Sequence, residues 1–426
     1  MVTYEPLLIF HDDLIRYDLL EEKFDVIIVG AGPAGTATAI ALRNSGLSVA
    51  ILDKATFPRD KTCGDALSVD VVNQLKILSP SLYDRFNHFF SKTSSYGVQI
   101  FSPDGNHVDI PFLYDHQKRC GYICQRIDFD NLFVQHAKEF SNIHVWEDCQ
   151  VNGIENRADN IHVHTSKGHL TAQLIVGADG AHSIVAKKLN NVKPDRDHYS
   201  AGLRVYYEGV SSCHPENFIE LHFFREILPG YLWIFPLPGN KANVGIGMLS
   251  SAVAKKKVNL KEMLNTLLTT HPALRERFQN AIPLETIKGY GLPLGSKRRS
   301  LSGRRFLLTG DAASLVDPFT GEGIANAIRS GRIAASHILK CFEQNKFSQS
   351  FNKQYDNEIY RRMWPELRLS RTLQHLCKYD WLFNFVVRKA NHNPHVHEFL
   401  IDALAHMDKK KSLTQPAFYY RLLLNR

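Results

Sequence analysis

Val26-Ile27-Ile28-Val29-Gly30-Ala31-Gly32-Pro33-Ala34-Gly35 joins an apolar run of strand length to a GxGxxG turn. A helix-compatible stretch from Ala34 to Asn44 follows, then a second apolar run, Val49-Ala50-Ile51-Leu52, ending in Asp53 and Lys54. Strand, tight turn, helix, strand and terminal acid together make a dinucleotide-binding unit. The three glycines differ in what they allow. Gly30 permits the turn, Gly32 lets backbone approach a pyrophosphate, and Gly35 allows close helix–strand packing. The helix start at Pro33 and Ala34 offers unpaired N–H groups and the positive end of a dipole to phosphate. Asp53 is placed to accept hydrogen bonds from the adenosine ribose. A glycine-rich turn alone is weak evidence; the flanking strand, helix and acid select the dinucleotide reading.

Two later segments separate FAD from a nicotinamide cofactor. Arg305-Phe306-Leu307-Leu308-Thr309 reads as a buried strand running into Gly310-Asp311, and Gly321-Glu322-Gly323-Ile324 opens a helix extending through Cys341. A nicotinamide dehydrogenase has no need to return to its cofactor so late in the chain. Asp311 suits the ribityl hydroxyls of a flavin, and the backbone of Gly321, Gly323 and Ile324 suits its ring. Leu174-Ile175-Val176-Gly177-Ala178-Asp179-Gly180, with Ser183 after it, is a third apolar strand ending in glycine and aspartate.

In this order the three motifs resemble those of flavoproteins with the p-hydroxybenzoate hydroxylase fold, and two more narrow the likeness. Pro58-Arg59-Asp60-Lys61-Thr62-Cys63-Gly64 resembles the PRxKxCG segment of the geranylgeranyl reductase family. Pro229-Gly230-Tyr231-Leu232-Trp233-Ile234-Phe235-Pro236 resembles its PxxYxWxFP substrate motif, with one residue fewer between Pro229 and Tyr231. The resemblance extends from about Phe24 to about Cys341. It implies an α/β fold in which a Rossmann-like FAD-binding domain is interleaved with a mostly antiparallel β-sheet substrate domain, plus a C-terminal helical region. It also implies that Arg59, Cys63, Gly64 and Arg126 lie beside FAD, and that carbon-carbon double bonds of an isoprenoid or other lipid-like substrate are reduced. No second GxGxxG is present, so the reductant is NAD(P)H binding transiently or an electron-transfer protein. An FAD-dependent monooxygenase (aromatic hydroxylase) or a flavin-dependent halogenase shares the fold and the cofactor motifs. Against WxWxIP, the halogenase signature, Tyr231 to Pro236 departs at two of four positions.

The organisation expected is 24–95, 121–195 and 296–345 for the cofactor unit, 96–120 and 196–295 for the substrate unit, 346–426 for the helical region and 1–23 for an extension. Alternating patterns at Leu203–Val210, Phe218–Phe224, Tyr231–Leu237 and Ala242–Met248 predict an antiparallel sheet flooring the substrate cavity. Tyr231, Trp233 and Phe235 occupy alternate positions and share a face, a row of rings against which an isoprenoid chain would lie. Arg126 precedes a helix-like stretch from Asp128 to Phe140, with Asp128 as its expected N-cap. Beyond Phe347 the pattern is helical and aromatic-rich, with Trp364, Trp381, Phe383 and Phe385.

Cys63 is the one catalytic candidate. Basic Arg59 and Lys61 precede it, and neighbouring positive charge favours a thiolate, whereas a free cysteine is otherwise a small buried hydrophobe. His162 and His164 alternate along a strand but lack a third ligand nearby, so no metal site is expected. Cys120 and Cys124 do not have CxxC spacing. Neither a Gly-x-Ser-x-Gly elbow nor HExxH is present.

Composition agrees. A chain of 426 residues, 44% of them hydrophobic, exceeds one ordinary core. No apolar stretch is long enough to span a bilayer, and Leu7-Leu8-Ile9-Phe10, followed by Asp12 and Asp13, is expected to be neither signal peptide nor anchor. Seven cysteines without regular spacing suit a reducing cytoplasm. With a net charge of +8 and its basic clusters scattered at Lys255-Lys256-Lys257, Lys297-Arg298-Arg299 and Lys409-Lys410-Lys411, the chain is not expected to bind nucleic acid. Together the clusters suit peripheral contact with an anionic membrane surface.

Overall fold

Uninterrupted apolar runs become parallel strands covered on both faces, because helices on either side remove every side chain from water. Glu22–Val29 pairs along its length with the parallel strand Gly168–Gly177 on one side and with Val49–Leu52 on the other. Ile143–Trp146 extends the sheet beyond Val49–Leu52, and Phe306–Leu308 pairs with the end of Gly168–Gly177. The computed structural model describes residues 22–114, 117–193 and 195–405, so Leu7–Phe10 and Lys409–Lys411 lie outside the described residues.

The parallel strands end at one edge, which brings Gly30, Asp53, Asp179 and Gly310 together although up to 280 residues separate them. The helix Pro33–Ala41 leaves this edge and packs against Ile324–Glu343. Gly30 has a φ of +102°, and a Cβ there would lie 2.4 Å from the Ala178 carbonyl oxygen. A Cβ on Gly35 would lie 1.9 Å from the Gly30 carbonyl oxygen, so the turn closes only without side chains at either position.

The second sheet runs in the order Ile282–Pro283, Tyr199–Glu208, Lys241–Leu249, Gly230–Leu237, Ile219–His222, Gly97–Phe101, His107–Pro111. It is antiparallel except where Ile219–His222 runs parallel to Gly97–Phe101. Leu232 and Ile234 are fully buried on one face, leaving Tyr231, Trp233 and Phe235 on the other.

Residues 349–405 divide between the two sheets. Gln349–Leu376 places Phe351, Tyr355, Ile359, Met363 and Leu367 in the core around the parallel sheet, and the Tyr355 hydroxyl donates to the Leu308 carbonyl at 2.6 Å. Asp380–His392 and Pro394–Ala405 instead cover Val108 and Ile110 on the outer strand of the other sheet.

Helix boundaries differ from expectation by up to three residues, and the helix expected to open at Gly321 and run through Cys341 is Ile324–Glu343. The first helix stops at Ala41, three residues before Asn44. The helix expected from Asp128 is Arg126–Ala137, its N-cap is Gln125, and Asp128 falls within its first turn. Burial decides this: Arg126 bonds to Asp130 one turn later, and the pair fixes the first turn from inside.

Candidate active site

A cavity of about 980 Å³ begins at Gly30–Ala34 and ends against the ring row of the second sheet. Apart from Gly35 and Gly310, every site residue expected from sequence lines it, including Lys54 at its exposed rim. Gly35 and Gly310 sit behind the wall, where they let backbones pack; a Cβ on Gly310 would lie 2.9 Å from the Ala34 Cβ.

The cofactor-domain end is largely backbone. Asp53 pins the turn, one carboxylate oxygen accepting from the Ala31 N–H at 2.8 Å and the other from Ala55 at 2.9 Å. The nearest atom to a Cβ on Gly32 would be Arg59 Nη2 at 3.8 Å, so the volume before Gly32 is open cavity. Pro33–Ala41 and Ile324–Glu343 both start on this wall without a side-chain cap, which leaves backbone donors for a ligand. One oxygen of Asp179 accepts from Ile184 N at 2.7 Å, while the other is buried without a hydrogen-bond partner. Burial raises the pKa of this carboxyl. Donor-rich helix starts, an open backbone approach and an orphaned acceptor fit the pyrophosphate and hydroxyl groups of FAD.

Charge gathers in the middle. Arg126, buried, holds Asp130 through two bonds of 2.7 Å, and Arg59 reaches the same carboxylate at 2.7 Å. Burial opposes ionisation of Asp130, but the two guanidinium groups outweigh it and hold its pKa low. Lys61 lies 4.0 Å from Asp311 and 3.9 Å from the centre of the Tyr290 ring. Burial, aided by Arg126, depresses the Lys61 ammonium pKa, and Asp311 opposes the shift. Cys63 is half-buried, with its sulfur in the field of Arg126.

The far end is made of side chains. Tyr231, Trp233 and Phe235 follow one another with centroids 6.2 Å apart. The Tyr231 hydroxyl donates to the Thr320 carbonyl, tying the row to the Gly321 turn, whose φ is +70°. Phe235 packs so closely on Gly64 that a Cβ there would lie 2.8 Å from its ring. Ile100, Leu221 and Phe223 complete an apolar wall, and Phe383 packs on Phe223 with centroids 4.6 Å apart.

Beneath this row lies a polar network that sequence reading missed. Asp65 is fully buried at a φ of +67° and accepts from the Tyr206 hydroxyl and from Asn243 Nδ2, each at 2.7 Å. Asn243 also donates to the Cys63 carbonyl at 2.8 Å and accepts from Trp233 Nε1 at 2.9 Å. Burial pushes the Asp65 pKa up to about 6 despite these donors. Beside it, Arg204, wholly buried, binds both oxygens of Asp60 at 3.0 and 2.9 Å, contacts Glu285 and stacks over Tyr206. One signal was available: Asn243 interrupts an otherwise apolar run, and a polar side chain in a central strand requires partners.

Two sheets meeting over a dinucleotide cleft and an apolar row define a flavoprotein oxidoreductase. Residues 23–369 match the FAD binding domain family, and the chain belongs to it, on the geranylgeranyl reductase branch of these FAD-dependent enzymes. The chain is 28% identical over 368 residues to the digeranylgeranylglycerophospholipid reductase of Methanococcus vannielii, covering 84% of this chain and 88% of that protein. It is 30% identical over 327 residues to the menaquinone reductase of Mycolicibacterium smegmatis, covering 74% and 76%. A geranylgeranyl bacteriochlorophyll reductase-like protein from Thermoplasma acidophilum superposes with a TM-score of 0.77 at 22% identity, over 92% of this chain and 99% of that one, a likeness of fold. No helix among the described residues is long and apolar enough to cross a membrane.

Proposed function

We propose that this enzyme reduces carbon-carbon double bonds in the polyprenyl chain of a lipid-like substrate. The observation that carries the reading is the row Tyr231, Trp233, Phe235, which continues the cofactor cleft into an apolar channel walled by Ile100, Leu221 and Phe223. Two relatives named for digeranylgeranyl lipid and menaquinone reduction support it. FAD, once bound, supplies the hydride chemistry.

The chain's own residues bind, orient and exclude water. Gly30, Gly32, Pro33 and Ala34 hold the pyrophosphate end, the open oxygen of Asp179 accepts from a cofactor hydroxyl, and Asp53 and Lys54 lie toward the ribose. Arg59 and Arg126, fixed by their shared carboxylate, keep the middle positive. Asp311 takes the ribityl hydroxyls, with Gly321, Gly323 and Ile324 beside the ring. Cys63 touches the substrate where the row meets the flavin end. NAD(P)H or an electron-transfer protein supplies the electrons, and peripheral membrane contact delivers the lipid.

The test is flavin absorbance of the FAD-loaded protein titrated with a polyprenyl lipid in mixed micelles and, separately, with small aromatic carboxylates. Perturbation by the lipid alone is the expected outcome. Perturbation by the carboxylates alone would replace this reading with a monooxygenase, for which stopped-flow reoxidation would reveal an oxygen adduct.

A further inference from the structure

We propose that Asp65 is a positioning residue: through Asn243 it fixes the indole of Trp233 and thereby sets how a substrate chain lies in the channel. This rests on the lipid-reductase reading of the same site. The amide of Asn243 has one orientation that satisfies its neighbours. Trp233 Nε1 only donates, so it must face the amide oxygen, while the Cys63 carbonyl and Asp65 carboxylate only accept and must face the nitrogen. A flipped amide would lose all three bonds. The indole is also held flat from below: Trp233 pairs with Gly245 across the sheet, and a Cβ on Gly245 would lie 2.1 Å from the ring. With its ring resting on Gly245 and its N–H tethered at the edge, Trp233 takes its place through Asn243 from a carboxylate on the cofactor-domain loop.

The loop is committed to this arrangement. Asp65 holds a left-handed φ of +67°, and its second oxygen accepts from Arg126 N at 3.3 Å. Such backbone strain in a non-glycine residue persists where its surroundings enforce it. The groups facing the carboxyl are Tyr206 and Arg204 from one strand, Arg126 from the following helix, and Cys124 from the strand before it. Burial raises the pKa values of Tyr206 and Cys124, and the arginines stay charged. Asp65, at about 6, is the member that titrates near neutrality.

The experiment uses FAD-loaded protein labelled with 15N at its tryptophan indoles. Four tryptophans give four indole signals, and Trp233→Phe assigns one. The Trp233 signal should shift with a midpoint near pH 6 in wild type, lose that shift in Asp65→Asn, and move to a pH-independent position in Asn243→Leu. The micelle titration should show polyprenyl affinity roughly tenfold weaker in Asn243→Leu, the scale of one lost hydrogen bond, with FAD content retained. Adding Asn243→Leu to Trp233→Phe should weaken it little further, because Asn243 acts through that ring. A Trp233 signal that ignores pH in wild type, titrates unchanged in Asp65→Asn, or keeps its position in Asn243→Leu overturns the proposal. So do additive affinity losses. If Asp65→Asn does not accumulate folded, Asn243→Leu carries the test alone. Failure of the lipid reading is separate: wild-type flavin would then ignore the lipid while the indole titration persisted.

Discussion

At the Gly30–Ala34 end the cavity wall is backbone, and at the Trp233 end it is side chain. The first is drawn from short stretches in which neighbours in sequence are neighbours in space: Gly32, Pro33 and Ala34, or Gly321, Gly323 and Ile324. The second is assembled across distance, with Asp65 from a loop, Tyr206 and Arg204 from one strand, and Trp233 and Asn243 from two others. A backbone wall recognises what every dinucleotide shares, namely phosphate and hydroxyl. A side-chain wall recognises shape, and each of its members is exchangeable. The cofactor end should therefore respond abruptly to substitution and the substrate end by degrees.

Glycine substitutions give the sharpest form of this contrast. Gly35→Ala should yield no soluble folded protein, because its Cβ would lie 1.9 Å from the Gly30 oxygen within a sheet-helix core. Gly32→Val, with only Arg59 at 3.8 Å before it, should fold with wild-type circular dichroism yet bind no FAD by absorbance. A Gly32→Val protein that remains yellow would erase the distinction.

Arg204→Met comes next. Among the described residues it leaves Lys288, itself half-exposed, as the cation paired with Asp60 and Glu285, and should cost about 3 kcal/mol in thermal unfolding, the low end for a broken buried ion pair. A melting temperature equal to wild type would mean that the two domains do not depend on this tie. Asp311→Ala should lower FAD affinity by roughly 10–100-fold, the worth of charge-assisted hydrogen bonds. Equilibrium dialysis of the flavin checks it.

The network beneath Trp233 has a pH signature. Asp65 has a folded pKa of about 6 against an ordinary 3.8, so the folded state holds its proton more tightly than the unfolded chain does. This group then contributes stability that is present below pH 4 and lost as pH rises through 6. From pH 7 to pH 5 the wild type should gain about 1 kcal/mol relative to Asp65→Asn in denaturant unfolding. Equal pH profiles for the two proteins would contradict the buried carboxyl. The smallest effect on the fold is expected at Cys63→Ala: melting temperature and FAD content unchanged, with flavin-normalised turnover or product pattern altered. Wild-type kinetics in that variant would remove Cys63 from the substrate contact.

Pattern made the cofactor end legible. Val26–Val29 and Val49–Leu52 could only be buried strands, and the GxGxxG between them left the chain one short path. The row at Tyr231, Trp233 and Phe235 followed from the two-residue period of a strand. Asp65 was not legible, since its meaning depends on Asn243, which lies 178 positions away and enters its hydrogen-bond range only after both sheets have formed. Arg204 was hidden in the same way: along the chain it is one basic residue in an alternating strand, whereas in the fold it is wholly buried between Asp60 and Glu285.

From the chain's order of residues alone follow the parts whose physics is local: the glycine turns, the buried parallel strands, the alternating ring row and the dinucleotide character of the cleft. Three matters were left to the packed molecule: which face of the second sheet meets the cleft, which carboxylate orders Trp233, and which helices of the C-terminal region join which core. Local geometry follows from backbone sterics and the period of side chains along one segment. Pairing between distant polar groups depends on burial, because a carboxylate that water would solvate anywhere on an open chain must find its donors once packing has excluded the solvent.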